Sequence, residues 1–140
     1  MKEVRYLDLP DFLVIAEAVL DMDAEEVAYS ARLDLAESAL ASPSASFAGH
    51  EFYPIFADKA AVLCYHLIRN HPLIDGNKRV GYLSLIEFVE RNGYSWTPPE
   101  GDVPSGDETV RIIEEVAAGT IDPGAFALWV QERISPSGRL

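Results

Sequence analysis

Asn70-His-Pro-Leu-Ile-Asp-Gly-Asn-Lys-Arg-Val80 gathers an imidazole, a carboxylate, an amide, an ammonium and a guanidinium into eleven residues. Pro72 disfavours helical geometry at His71, so a preceding helix stops near Asn70, while Gly76 and Asn77 suit the start of a second helix running toward Gly93. The loop therefore meets a helix N-terminus, where free backbone N–H groups and the positive end of the macrodipole favour anions. Lys78 and Arg79 oppose that macrodipole at ~0.3–1 kcal/mol each, a penalty that a bound anion reverses. These residue types in this order describe a phosphate-handling loop between two helices.

The flanking patterns are helical. Phe56, Ala60, Leu63 and Leu67 form one apolar stripe before the loop, with Pro54 opening that helix, and Val80, Leu83, Ile86 and Val89 form another after it. Two such helices pack together and hold the loop rigid. Leu9–Leu20 carries Phe12, Ile15, Ala16 and Val19 on one side, with Asp8 capping before Pro10. Residues 27–40 form a less perfect helix, broken by Ser42-Pro-Ser-Ala-Ser46. Residues 107–118 turn Val110, Ile113, Val116 and Ala117 inward, and 122–134 turn Phe126, Trp129, Val130 and Ile134 inward. Phe47–Tyr53 reads as an extended or hairpin-like segment, Tyr94-Ser-Trp96 as a short extended stretch before Pro98-Pro99, and 135–140 as a loose tail. The expectation is one all-α domain over 1–140, a compact bundle of about six helices with a short flap segment.

Composition narrows the function. At 49% hydrophobic, 140 residues bury one core without staples. A net charge of −12 argues against direct nucleic-acid binding, which needs a basic face. No apolar run approaches the ~20 residues of a spanning helix, and Met1-Lys-Glu-Val-Arg5 lacks a signal-peptide core, so a cytoplasmic protein with no membrane partner is expected. The single cysteine, Cys64, sits among Ala61, Leu63 and Leu67 as a small core side chain. Between His66 and Arg79 the balance reverses, with Arg69, Lys78 and Arg79 against Asp75 alone. A small polyanion such as a nucleoside triphosphate can dock on such an island.

The run His71-Pro-Leu-Ile-Asp-Gly-Asn-Lys-Arg79 resembles the signature of the Fic/Doc superfamily, roughly His-x-Phe-x-Asp/Glu-Gly-Asn followed by Gly-Arg or Lys-Arg. Asn77-Lys78-Arg79 resembles the Doc branch, the death-on-curing toxins of toxin–antitoxin modules. Phe47-Ala-Gly49, Glu51-Phe-Tyr-Pro54 and Lys59-Ala-Ala61 before the motif, and Phe88-Val-Glu-Arg-Asn-Gly-Tyr94 after it, are similar to the same family's surroundings, so about 33–96 are covered. Two positions depart. Leu73 stands where the family usually has Phe, and Tyr82 stands where AMP-transferring relatives carry a second Arg.

The resemblance implies a toxin-type kinase that transfers the γ-phosphoryl group of ATP to a Ser/Thr hydroxyl of a translation protein, elongation factor Tu in the family. His71 is then the catalytic base, since imidazole accepts a proton near neutral pH. Asp75 holds Mg²⁺ together with the substrate phosphates. Gly76, Asn77, Lys78 and Arg79 bind phosphate: Gly76 by close backbone approach, Asn77 as a donor or a helix cap, Lys78 as a point charge, Arg79 as a bidentate fork. Phe47, Gly49, Phe52 and Tyr53 would lie beside the loop as a flap that docks the target chain by main-chain pairing. AMP transfer and a catalytically silent partner-binding domain are the alternatives. Inhibited Fic enzymes often carry an in-chain Ser/Thr-x-x-x-Glu-Gly/Asn segment, and Glu100-Gly101 lacks its Ser or Thr, so a separate antitoxin is the expected partner.

The other candidates fall short. His50-Glu-Phe-Tyr-Pro54 begins like a zincin motif, but its fifth residue is Pro and cannot ligate. His66 and His71 would not share a helix face, which argues against a two-histidine metal site.

Overall fold

The computed structural model describes residues 3–102 and 107–137. Among them run α1 (Leu9–Leu20), α2 (Ala24–Ser30), α3 (Leu33–Ala41), α4 (Phe56–Asn70), α5 (Asn77–Arg91), α6 (Asp107–Ala118) and α7 (Pro123–Arg133). Two short antiparallel ribbons complete the fold: β1 (Ser46–Phe47) with β2 (His50–Glu51), and β3 (Tyr94–Trp96) with β4 (Ile134–Pro136). The architecture is all-α, with α4 at the centre packed against α3, α5, α6 and α7.

The described helices number seven rather than about six, because the stretch expected to be one helix over 27–40 is α2 and α3. Ala31 turns extended at ψ 157°. The Arg32 N–H then donates to the carbonyl of Pro72 at 2.8 Å, inside the loop between α4 and α5. That long-range bond takes the donor a continuous helix would have used, and it fastens the start of α3 to the loop. The Asn70 amide donates to Leu35 O at 3.1 Å and adds a second tie.

The α4–α5 contact is close because Gly81 lacks a side chain: a Cβ there would lie 2.7 Å from Ile68 Cγ1. The buried face of α5 comprises Asn77, Val80, Gly81, Ser84, Leu85, Phe88 and Val89. Leu83, expected inside, is 42% exposed. A strict three-residue step lags the 3.6-residue turn and walks off the face. Val110 on α6 is likewise exposed, and Thr109, Ile112, Ile113 and Val116 face inward instead. Cys64 is fully buried as expected, and burial pushes its thiol far above the usual range.

Asp8 and Asp11 form a reciprocal capping box at the start of α1, with Pro10 in its first turn. Asp11 also accepts from Arg91 at 2.9 Å and ties α1 to the end of α5. Pro54 does not open α4; Ile55 is the cap and the helix begins at Phe56. The expected tail is also revised: Ser135 and Pro136 pair with Ser95 and Tyr94, because β3 offers a free edge that tolerates Pro. The rest of that tail, 138–140, lies outside the described residues. Among the described residues no helix is long and apolar enough to cross a membrane.

Two groups make the fold sensitive to acid. Burial lowers the pKa of His66, so the folded chain resists protonating it. The Arg91 guanidinium, aided by bonds from Asp8, lowers that of Asp11. In both cases the unfolded chain takes up the proton more readily, so stability is fully present above the unfolded pKa and is lost as pH falls through the folded one. The melting midpoint is therefore expected to decline as pH drops below about 6.5, and again below about 4. His66→Gln should flatten the first decline. A midpoint that is level from pH 7 to 5, or a first decline unchanged by His66→Gln, would contradict this.

Candidate active site

α4 ends at His71, whose backbone is left-handed (φ 54°, ψ 53°), and α5 begins at Asn77 after a left-handed Gly76 (φ 82°, ψ 10°). The expected break therefore lies where Pro72 and Gly76 put it. Gly76 has a steric reason besides its φ: a Cβ there would lie 2.9 Å from Leu20 Cδ2 at the end of α1. Between these two turns Pro72 and Leu73 are buried, whereas His71, Ile74 and Asp75 are exposed. Leu73 is 3% exposed, so the apolar anchor of the loop is kept with a smaller side chain than the family's Phe.

Asn77 holds the loop from within. Its Oδ1 accepts from Leu73 N–H at 2.9 Å and its Nδ2 donates to Leu73 O at 2.9 Å, in a buried pair of bonds. The side-chain amide is thus committed to the backbone, and the helix cap is Gly76 rather than Asn77. What faces outward at the start of α5 is backbone. No side chain caps this helix, and the N–H groups of Asn77, Lys78 and Arg79 have no hydrogen-bond acceptor among the described residues. Three free amides at a helix N-terminus make an anion cradle.

An open cavity of about 410 Å³ lies over this cradle, lined by Ile68, Arg69, His71, Ile74–Arg79 and Ala117. It brings together His71, Asp75, Gly76, Asn77, Lys78 and Arg79. Arg69, expected as part of the cationic island and not as a site residue, and Ala117 of α6, 40 residues or so along the chain from the loop, are both wall residues. Arg69 Nη1 donates to Ala117 O at 2.8 Å, which is how the end of α6 reaches the cavity.

Asp75 Oδ1 accepts from the adjacent Gly76 N–H at 2.8 Å. Among the described residues no three His, Cys, Asp or Glu side chains converge into a metal cage. A single carboxylate suits a hard cation that completes its shell with phosphate oxygens and water, as Mg²⁺ does.

Two further residues lie elsewhere. The Tyr82 hydroxyl accepts from Trp96 Nε1 at 2.9 Å, and its ring meets Trp96 edge-on, so this position is absorbed into an aromatic cluster with Trp129. Burial raises the Tyr82 pKa. His66 is half-buried and does not line the cavity.

The expected flap is a β1–β2 hairpin turned by Ala48 (φ 54°) and Gly49 (φ 82°), a pair of positive φ values that suits a two-residue connection. Phe47 and Phe52 are 75% and 60% exposed. No hairpin residue lines the cavity. The hairpin is rooted at the opposite end of α4, where the buried Lys59 ammonium donates to Glu51 Oε1 at 2.8 Å and to Pro43 O at 3.1 Å. From Lys59 to His71 the helix rises about 18 Å.

Comparison with known proteins agrees with this geometry. Residues 6–89 match the model of the Fic/DOC family. The chain is also 36% identical over 123 residues to the protein named "Toxin Doc" of Mycolicibacterium smegmatis (strain ATCC 700084 / mc(2)155), covering 88% of each chain. The helix–loop–helix that presents His71, Asp75 and Arg79 around one cavity thus lies within the matched segment, and the chain belongs to the Fic/DOC family.

Proposed function

We propose that this chain is the toxin of a toxin–antitoxin pair and that it transfers the γ-phosphoryl group of ATP to a Ser or Thr hydroxyl of a translation protein. The observation that carries the reading is the meeting of His71, Asp75, Lys78, Arg79 and three free α5 amides at one cavity. The 36% identical relative is itself named a toxin. The triphosphate rests on the α5 N-terminus with Arg79 and Lys78 over its charge, and Asp75 supplies the protein ligand for Mg²⁺. Mg²⁺, when bound, neutralises charge on the phosphate oxygens.

His71 accepts the proton of the target hydroxyl. The hydroxyl oxygen forms a bond to the γ-phosphorus as the bond to the β–γ bridging oxygen breaks, and ADP leaves. Arg79 and Lys78 stabilise the charge that spreads over the transferring group. Elongation factor Tu is the target by family resemblance. The target chain docks on the free edge and exposed Phe47 and Phe52 of the hairpin. A cytoplasmic location follows from such a target.

AMP transfer is the second reading, and Tyr82 disfavours it. The residue that would be the second arginine of that chemistry is a tyrosine bonded into the Trp96 cluster. The test of the proposed function is a cell-free translation reaction with ATP and the purified chain. Protein synthesis stops with the intact chain and continues with His71→Ala, and the cognate antitoxin restores synthesis. Uninterrupted synthesis with the intact chain would contradict the proposal.

A further inference from the structure

We propose that Arg69 is a second phosphate-binding guanidinium of the cavity, delivered from α4 and held by the end of α6. The inference rests on the reading that the cavity takes a nucleoside triphosphate. Most described cations have a carboxylate within reach: Arg32 has Asp34, Lys59 has Glu51, Arg91 has Asp11 and Glu87, Arg111 has Glu115, and Arg133 has Glu108. Among the described residues Arg69, Lys78 and Arg79 have none, and they share one cavity; Arg5 is the other described cation without one. In a chain with 23 acids to 11 bases, three cations that share a cavity with Asp75 alone and are ion-paired to no carboxylate mark the place of an external anion.

The Arg69 fork is pre-set for that role. Nη1 donates to Ala117 O at 2.8 Å, and the guanidinium lies against Gly119, where a Cβ would fall 3.1–3.2 Å from three of its atoms. Gly119 is left-handed (φ 73°), so its missing side chain serves both the end of α6 and the seat of the arginine. One N–H is spent on Ala117, and the other donors have no partner among the described residues. Capping the end of α6 accounts for that one bond and for a favourable macrodipole contact. It leaves unexplained why the group lines the same cavity as Lys78 and Arg79. A fork already fixed in orientation loses little freedom on gripping a phosphate. Position 82 is a tyrosine bonded to Trp96, so α5 carries no guanidinium one turn along, and α4 supplies the second one at the cavity wall.

The test is a titration of the intact chain, Arg69→Gln, Arg69→Lys and Gly119→Ala with Mg·ATP, at a temperature where circular dichroism shows each variant folded. Loss of a charge-assisted contact should weaken binding roughly tenfold or more in Arg69→Gln, with partial recovery in Arg69→Lys. The affinity of Arg69→Gln should also fall less steeply with added salt than that of the intact chain, a readout that a merely helix-capping role would not move. Gly119→Ala keeps the charge but displaces the fork. It should bind a few-fold more weakly, and it serves as the deciding variant if Arg69→Gln does not fold. Unchanged affinity in a folded Arg69→Gln, or in Gly119→Ala where that variant decides, overturns the inference and leaves the nucleotide reading standing. An intact chain that binds no Mg·ATP removes that reading itself.

Discussion

Replacing His71 by Ala is expected to slow phosphoryl transfer by roughly 10²–10⁴-fold while leaving Mg·ATP affinity almost unchanged. The imidazole stands at the left-handed end of α4, exposed on the cavity wall, whereas the phosphate cradle belongs to the first turn of α5. The base acts on the attacking hydroxyl and need not touch the nucleotide to hold it. Single-turnover transfer to the target, paired with an ATP titration of the same variant, separates the two roles. A variant that loses binding and transfer together would place His71 on the nucleotide instead, and one that keeps its rate would remove it from the chemistry.

Asn77→Ala should be the most damaging single change to the loop. It leaves the buried N–H and C=O of Leu73 without the partners they have at 2.9 Å. At about 1–3 kcal/mol for each of the two unsatisfied groups, the loss is roughly 2–6 kcal/mol, or a melting midpoint lower by about 7–20 °C. Transfer should fall as well, because Asp75 and the α5 amides are positioned by the loop that Asn77 closes. Thermal unfolding of the variant checks the first part. A shift of less than 2 °C or so would show that solvent or a rearranged loop satisfies Leu73 instead.

The loop was legible because its punctuation is local. Pro72 and Gly76 act on their own neighbours' dihedral angles, so a break between two helices follows from the residues alone. The α2–α3 division was not legible. Ala31-Arg32 contains no breaker, and the division depends on an N–H captured by Pro72, 40 residues along the chain. Leu83 and Val110 were misplaced for a related reason: an apolar residue fits a stripe by spacing whether or not a neighbouring helix covers it. β4 was hidden by Ser135-Pro136, whose composition suits a tail and whose structure comes from the edge of β3.

The site shows the same division. The identities and order of His71, Asp75, Gly76, Lys78 and Arg79 already describe anion chemistry. Whether Asn77 faces phosphate or backbone depends on which side of the loop is buried, and the short-range pattern is silent on that. Arg69 reads as part of the cationic island, but its place in the cavity wall is legible only once Ala117 and Gly119 are seen beside it. The hairpin was legible through Gly49, but its position was not, because its anchor is the Lys59 ammonium near the start of α4 and the cavity lies at the other end of that helix.

The central claim, that this cavity directs the γ-phosphorus toward a protein hydroxyl, is tested most directly by the position of the label. The intact chain is given its target and ATP labelled at the γ-phosphate in one reaction and at the α-phosphate in another. The account predicts stable label on the protein from γ-labelled ATP alone, with ADP released. Label arriving only from α-labelled ATP, with pyrophosphate released, would contradict it and assign the cavity to AMP transfer.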